Sequence, residues 1–217
     1  MREIDTKKRK AVIFDLDGTL WDSSLQIVKA WNPVLREHGA EITVEQMCGF
    51  MGKTLPVIGS LIFPEKTENE YMKIMAECSS VEHPYVRQHG GVLYPHLEEV
   101  LKELSSDFFL AIVSNCQDGY VQAFLDHYEF RKYFDDIEMA GRTGLSKGEN
   151  ISLVIQRNQI EKAVYVGDTA GDQEAAELAG VPFIYAAYGF GDVEKELTQN
   201  ILVQFSDLPE IARRLLD

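Results

Sequence analysis

Short apolar runs rich in β-branched and aromatic residues are spread unevenly along this chain, and their spacing restricts the fold severely. The first, residues 10–16 (KAVIFDL), reads as a buried strand. The next, residues 108–113 (FFLAIV), arrives only after a long interval. From there strands and helices alternate quickly. A helix over about 117–126 leads to a strand at 136–140, and a helix over 148–157 leads to a strand at 163–166. A helix over 172–178 follows, with Gly180 as its C-cap, then the strand-like run PFIYAA and a short helix near 193–198. The run ILVQF is a last strand, and Ser206 is the N-cap candidate for a last helix. Helices set between fully apolar strands predict parallel βαβ units with the sheet covered on both faces, an α/β fold of three layers.

The interval itself is informative. Residues 22–90 number 69, too many for a simple crossover. Their pattern is helical over 24–38 (with Pro33 inside), 44–51 and 68–79, with turn signals at Gly39, Gly52, Pro64 and Pro84. Such an insert is expected to close over one end of the sheet as a smaller α-helical cap. What remains, 1–21 plus 91–217, is 148 residues, an ordinary size for an α/β domain.

Composition narrows the partners. With 21 basic and 35 acidic side chains the formal net charge is −14, which argues against nucleic acid and anionic membranes. A small phosphorylated ligand stays possible, because a local site can be positive or metal-filled. No apolar segment near the start has the form of a secretory signal. The longest apolar run, 181–190, is too short to span a bilayer, which takes roughly 20 residues. The three cysteines, Cys48, Cys78 and Cys116, are widely spaced and suggest neither a disulfide framework nor a zinc site, so a reducing cytoplasm is expected.

Four short segments carry chemistry. The run Phe14-Asp15-Leu16-Asp17-Gly18-Thr19 puts two carboxylates at the carboxyl end of the first strand, where open α/β sheets bind ligands. By chance D-x-D-G-T arises on the order of 10⁻⁵ per window; the plainer alternative is an Asp-rich turn that ends a strand. Gly167-Asp168-Thr169-Ala170-Gly171-Asp172 follows another apolar strand, although Asp172 taken alone could simply cap a helix. Four carboxylates at one end of one sheet repel each other, and a hard divalent cation such as Mg²⁺ relieves that. Ser114-Asn115 follows the run FFLAIV and offers a hydroxyl and an amide to a bound oxyanion, or a helix N-cap. Lys147 is either a surface charge or the one fixed ammonium holding phosphate and carboxylates together.

Together these segments resemble the haloacid-dehalogenase-like hydrolase superfamily, in its phosphoglycolate phosphatase and β-phosphoglucomutase-like branch with a helical cap after the first strand. FDLDGT, VSN, the isolated Lys147 and GDTAGD stand in the family's order, and the resemblance covers essentially the whole chain. It implies a Rossmann-like core and Asp15 as the nucleophile that forms an aspartyl-phosphate. Asp17 would be the general acid and then the base. Asp15, the backbone carbonyl of Asp17, and Asp168 would hold Mg²⁺, with Asp172 as a further ligand or as support. Ser114 and Lys147 would bind the phosphoryl oxygens, with Asn115 near them. The family's dehalogenases lack the second Asp, so Asp17 favours phosphate esters. Its sugar phosphomutases carry a His at the position aligned with Ile27 and a Lys shortly after the Ser of the second motif. Here the sequence reads Ile27 and Cys116-Gln117-Asp118, which favours hydrolysis.

In the cap, Met51-Gly52-Lys53-Thr54 resembles the family's substrate loop, with Gly52 and Lys53 as candidate substrate contacts, although the commoner reading of such a lysine is an exposed residue at a helix start. Arg142 is a candidate for the site mouth, Cys116 is read as packing, and Trp21 and Trp31 as filling hinge and cap. The expectation is a Mg²⁺-dependent, cytoplasmic phosphatase, monomer or homodimer, acting on a small phosphorylated metabolite (phosphoglycolate-like or a sugar phosphate). A phosphomutase and a catalytically silent ligand-binding module are the alternatives.

Overall fold

The computed structural model describes residues 9–191, 193 and 199–217. Strand β1 (Lys10–Phe14) leads through a tight turn to the short β2 (Trp21–Asp22). Four helices follow, α1 (Ser24–Glu37), α2 (Val44–Phe50), α3 (Leu55–Ile62) and α4 (Glu68–His89), before β3 (Val92–Leu93) pairs antiparallel with β2. The two chain passages that connect the four helices to the rest therefore run side by side. The remaining elements alternate: α5 (Leu97–Asp107), β4 (Phe109–Ser114), α6 (Tyr120–His127), β5 (Asp136–Met139), α7 (Ala140–Thr143), α8 (Lys147–Arg157) and β6 (Lys162–Gly167). Helix α9 (Ala170–Ala179), β7 (Phe183–Ala186), β8 (Ile201–Leu202) and α10 (Leu208–Leu216) complete the described chain.

Six strands make one parallel sheet in the order β5-β4-β1-β6-β7-β8. Period-two alternation along β1 sends Val12 and Phe14 to one face and Ala11 and Ile13 to the other. On the first face they pack with Ile112, Val166 and side chains of α5 and α10 such as Leu104 and Leu208. On the second they meet Val113, Tyr165, and Ile151 and Ala176 of α8 and α9. Burial on both faces explains why these strands read as continuous apolar runs, and it gives the Rossmann-like three-layer core. Among the described residues no helix is long and apolar enough to cross a membrane.

Several elements differ from the sequence reading. Helix α4 does not stop near Ser79 but continues through Pro84 to His89. A proline inside a helix removes one backbone hydrogen bond, and here the buried Met75, Cys78 and Val86 hold both halves in the core. Helices α3 and α5 were not anticipated, and α9 begins at Ala170, so Asp172 lies inside its first turn while Thr169 is the N-cap. Asp207, not Ser206, precedes α10, because residues 205–207 already form a 3₁₀ turn. Gly180 does close α9 in the left-handed conformation. The short helix expected near 193–198 falls, apart from Val193, outside the described residues.

Candidate active site

The carboxyl ends of the three central strands β4, β1 and β6 point the same way and deliver Ser114, Asp15 and Asp168 to one spot, beside the point where the chain order reverses across the sheet. The Asp15 amide still donates to the Val166 carbonyl at 2.8 Å, which ties the residue to β6 beyond the end of β1. The chain then turns at Gly18, whose φ is +82° and whose added Cβ would stand 2.2 Å from Asp168 Oδ2. Only glycine meets both conditions, and this is what lets the two aspartate loops approach.

Lys147, at the first turn of α8, is 5% exposed. Its ammonium lies 2.5 Å from Asp172 Oδ1 and 3.1 Å from Asp15 Oδ1. The surface-charge alternative for this lysine is thereby excluded. Burial opposes its charge, but Asp15 and Asp172 outweigh that and hold its pKa above the ordinary value. Asp172 spends its second oxygen on the Thr169 amide (2.9 Å), the Thr169 hydroxyl (2.7 Å) and the Asp168 amide (3.2 Å). It therefore both caps α9 and braces the Asp168 loop against Lys147. Asp168 Oδ2 accepts from the amides of Phe190 and Gly191.

One oxygen each from Asp15, Asp168 and Asp172 lies within 4.8 Å of the others. Lys147 supplies a single positive charge to these three acids, so the cluster carries an uncompensated surplus. Burial, with Asp172 adding to it, pushes Asp168 up to about 7. Burial also drives Asp15 well above the usual carboxylate range, partly offset by Lys147. Asp15 Oδ1 is buried and completes no hydrogen bond despite its nearness to the ammonium. A buried carboxylate oxygen whose one partner is the ammonium, hard oxygen donors and surplus negative charge are the properties of a divalent-cation site, and the donor set fits Mg²⁺.

Asp17 sits differently. Its Oδ1 accepts from the Ser23 hydroxyl at 2.6 Å and from the Tyr120 hydroxyl at 2.8 Å, and those two hydroxyls are 2.7 Å apart. Burial raises its pKa, and these two bonds to the carboxylate moderate the rise. Neither Ser23 nor Tyr120 was singled out from the sequence. Their ordinary residue types and the 103-position separation of Tyr120 from Asp17 leave no local signal.

Asp15, Asp17, Ser114, Asn115, Gly52 and Lys53 all line one cleft between the sheet end and helices α1–α4. The Asn115 amide group donates to the Gly52 carbonyl at 2.8 Å, so it clasps the loop after α2. Gly52, at φ +77°, brings that loop's backbone close to the Thr169 side chain. Lys53 turns its ammonium to the Gly49 carbonyl at 2.9 Å. Arg142 is not at the cleft; its guanidinium binds Asp118 at 2.9 Å on the surface. Cys116 lines the cleft, and burial pushes its thiol up. Trp31 does more than fill space, because it too lines the cleft and donates its indole N–H to Glu82.

Comparison with known proteins gives the family. The family described as haloacid dehalogenase-like hydrolase matches residues 12–186. A phosphoglycolate phosphatase of Aquifex aeolicus is 30% identical over 208 residues, covering 93% of this chain and 96% of that protein. Among solved structures, a haloacid dehalogenase-like hydrolase from Bacteroides fragilis superposes with a TM-score of 0.80 at 26% identity, covering 91% of this chain and 98% of the other. One from Streptococcus pneumoniae shares the fold with a TM-score of 0.81 at 24% identity, covering 93% and 97%. With its aspartate pair, buried lysine and acidic loop gathered at the sheet end, the chain belongs to the haloacid dehalogenase-like hydrolase superfamily, as a phosphatase.

Proposed function

We propose that this protein is a Mg²⁺-dependent phosphatase of a small phosphorylated metabolite, phosphoglycolate-like or a sugar phosphate, that works through an aspartyl-phosphate on Asp15. The observation that carries the reading is the buried Asp15 oxygen without a hydrogen bond, beside Lys147 and two further carboxylates. Asp15, Asp168 and the backbone carbonyl of Asp17 would hold the ion, with Asp172 as a further ligand or as support. When bound, Mg²⁺ offsets the negative charge that gathers as an anionic nucleophile meets an anionic ester.

The chain's own residues then divide the work. A carboxylate oxygen of Asp15 attacks phosphorus as the bond to the leaving oxygen breaks, and protonated Asp17 gives that oxygen its proton. In the second half Asp17 takes a proton from water, the water oxygen attacks phosphorus, and Asp15 leaves as the free carboxylate with inorganic phosphate as the product. Lys147 and Ser114 bind the transferring phosphoryl oxygens, with Asn115 near them, while Asp172 keeps Lys147 in line. Ser23 and Tyr120 fix the Asp17 carboxyl on the leaving-group side.

Residues 22–90 act as a cap on a core made of 1–21 and 91–217, with Gly52 and Lys53 presented to substrate. Support comes from the paired β2–β3 passages and from the Asn115–Gly52 bond across the cleft. Cap closure excludes water from the first half-reaction. Hydrolysis is favoured over phosphoryl transfer between sugar positions, since Ile27, Cys116 and Gln117 line the cleft without an imidazole or ammonium. The intact set of acids and Lys147 speaks against a silent binding module. The net charge, free cysteines and phosphatase relatives support a cytoplasmic enzyme, monomer or homodimer, that takes a metabolite rather than a nucleic acid or membrane.

Phosphate release from a panel of phosphorylated metabolites, measured with Mg²⁺ and again with excess chelator, tests the reading. Release that needs the ion supports it. Equal release under chelation, or interconversion of sugar phosphate isomers without free phosphate, contradicts it.

A further inference from the structure

The cap side of the cleft contains one group that the chemistry above does not use. Glu82, on α4, is only 7% exposed and sits in a wall formed largely by apolar side chains such as Ile27, Met47, Phe50, Met51, Leu55 and Ile58. Its Oε2 accepts the Trp31 indole N–H, while Oε1 has no partner among the described residues. One turn earlier on the same helix, the Ser79 side chain also lines the cleft, and its hydroxyl has no hydrogen-bond partner among the described residues. A carboxyl oxygen and a hydroxyl three residues apart on one helix, both without a hydrogen-bond partner among the described residues and both in residues that line the cleft, have the form of a subsite for a ligand's polar group.

The charge around it defines that group. Among the described residues no arginine or lysine contacts Glu82, and burial pushes its pKa up to about 8, with Asp17 adding to the rise. Near neutral pH it is therefore mainly an uncharged acid, able to donate one hydrogen bond and accept others. A second anion on the leaving group would meet two acids, Glu82 and Asp17, and the one cation lining the cleft among the described residues, Lys53, already spends one donor on the Gly49 carbonyl.

Resting on the phosphatase reading, we propose that Glu82 and Ser79 form the leaving-group subsite, and that it selects an uncharged, hydroxyl-bearing leaving group of the polyol or sugar class over a carboxylate-bearing one. The hydroxyl bonds to the carboxyl of Glu82 while the apolar wall packs the carbon frame.

Four monophosphates on one two-carbon frame test this: 2-hydroxyethyl phosphate, ethyl phosphate, phosphoglycolate and phosphoethanolamine, with p-nitrophenyl phosphate as a general reporter of turnover. In the wild type, kcat/KM for 2-hydroxyethyl phosphate should exceed that of the other three small esters by about tenfold or more. Glu82→Leu should bring it down to the level of ethyl phosphate, whereas Glu82→Gln should keep the preference within about threefold. Phosphoglycolate or phosphoethanolamine ahead in the wild type overturns the inference, even if Glu82→Leu fails to fold. An order that Glu82→Leu leaves unchanged overturns it too. Absence of turnover with every ester, the reporter included, overturns the phosphatase reading itself and the subsite with it.

Discussion

The two walls of the cleft are built on opposite terms. At the strand ends, Asp15, Asp168, Asp172 and Lys147 are packed into one buried ion cluster, and Asp17 is clamped by two hydroxyls. On the helical side the wall is mainly apolar, and its buried acid, Glu82, pairs with an indole and with no cation among the described residues. In the first wall charge is held by charge and calls for a metal. In the second, charge is suppressed by burial. On the proposed reading the contrast separates two tasks: a common phosphoryl chemistry set at the sheet end, and a choice of leaving group made by a few side chains of the helical wall.

Removing the cluster's counterion gives the largest expected effect. Lys147→Met leaves Asp15 and Asp172 buried without their ammonium, and breaking a buried pair in this way costs about 3–5 kcal/mol. Phosphate release should fall by on the order of 10³ for every ester alike, and thermal unfolding should move down in the metal-free protein. An altered ranking of esters at a nearly unchanged rate would erase the division between the walls.

The walls should also separate in their response to pH. Asp15, Asp168 and Glu82 are acids whose folded pKa values lie above their ordinary ones. The unfolded chain releases these protons first, so their contribution is fully present below about pH 4 and lost as pH rises through the folded values. For Asp168 and Glu82 that window runs from about 4 up to about 7 and 8. Saturating Mg²⁺ should cancel the share of the strand-end acids, because the ion binds their charged forms. Glu82's share, of order a few kcal/mol at most, should survive Mg²⁺ and vanish in Glu82→Gln. Unfolding curves from pH 5 to 8 check this; the same slope in both proteins with Mg²⁺ present would refute it.

A smaller effect is expected at the clamp on Asp17. Tyr120→Phe removes one hydrogen bond to a carboxyl and should lower kcat by about tenfold with KM nearly constant. With one fewer bond to its carboxylate, Asp17 should hold its proton to higher pH, shifting the alkaline limb of the kcat profile upward. Loss in KM alone would move Tyr120 from the chemistry to binding. The smallest is Asn115→Ala, which frees the Gly52 loop and should raise KM about threefold, with kcat little changed.

How much of this could be read from the chain alone follows from where each wall gets its residues. Asp15, Asp17, Asp168 and Asp172 lie in short contiguous segments just after buried strands, so residue type and position along the strand already identify them. Lys147 was readable only beside them. The sheet was readable for the same reason, since strands buried on both faces have no alternation to blur them. Residues 22–90 were legible as a helical interval but not in detail. Gly59 and Pro56 hide α3, and Pro84 reads as a stop although α4 runs through it. The partnerships of Trp31 with Glu82, 51 positions apart, and of Tyr120 with Asp17, 103 apart, exist only after the helices pack. Nothing local in those residues marks them.

The most direct measurement of the central claim compares phosphate release by the wild type and by Asp15→Asn, at saturating Mg²⁺, on the best ester of the panel. The substitution nearly preserves shape and removes the carboxylate charge of the proposed nucleophile. Release should drop to background, at least about 10³-fold, with the folded state intact by thermal unfolding. Substantial turnover by folded Asp15→Asn would contradict a covalent route through this residue.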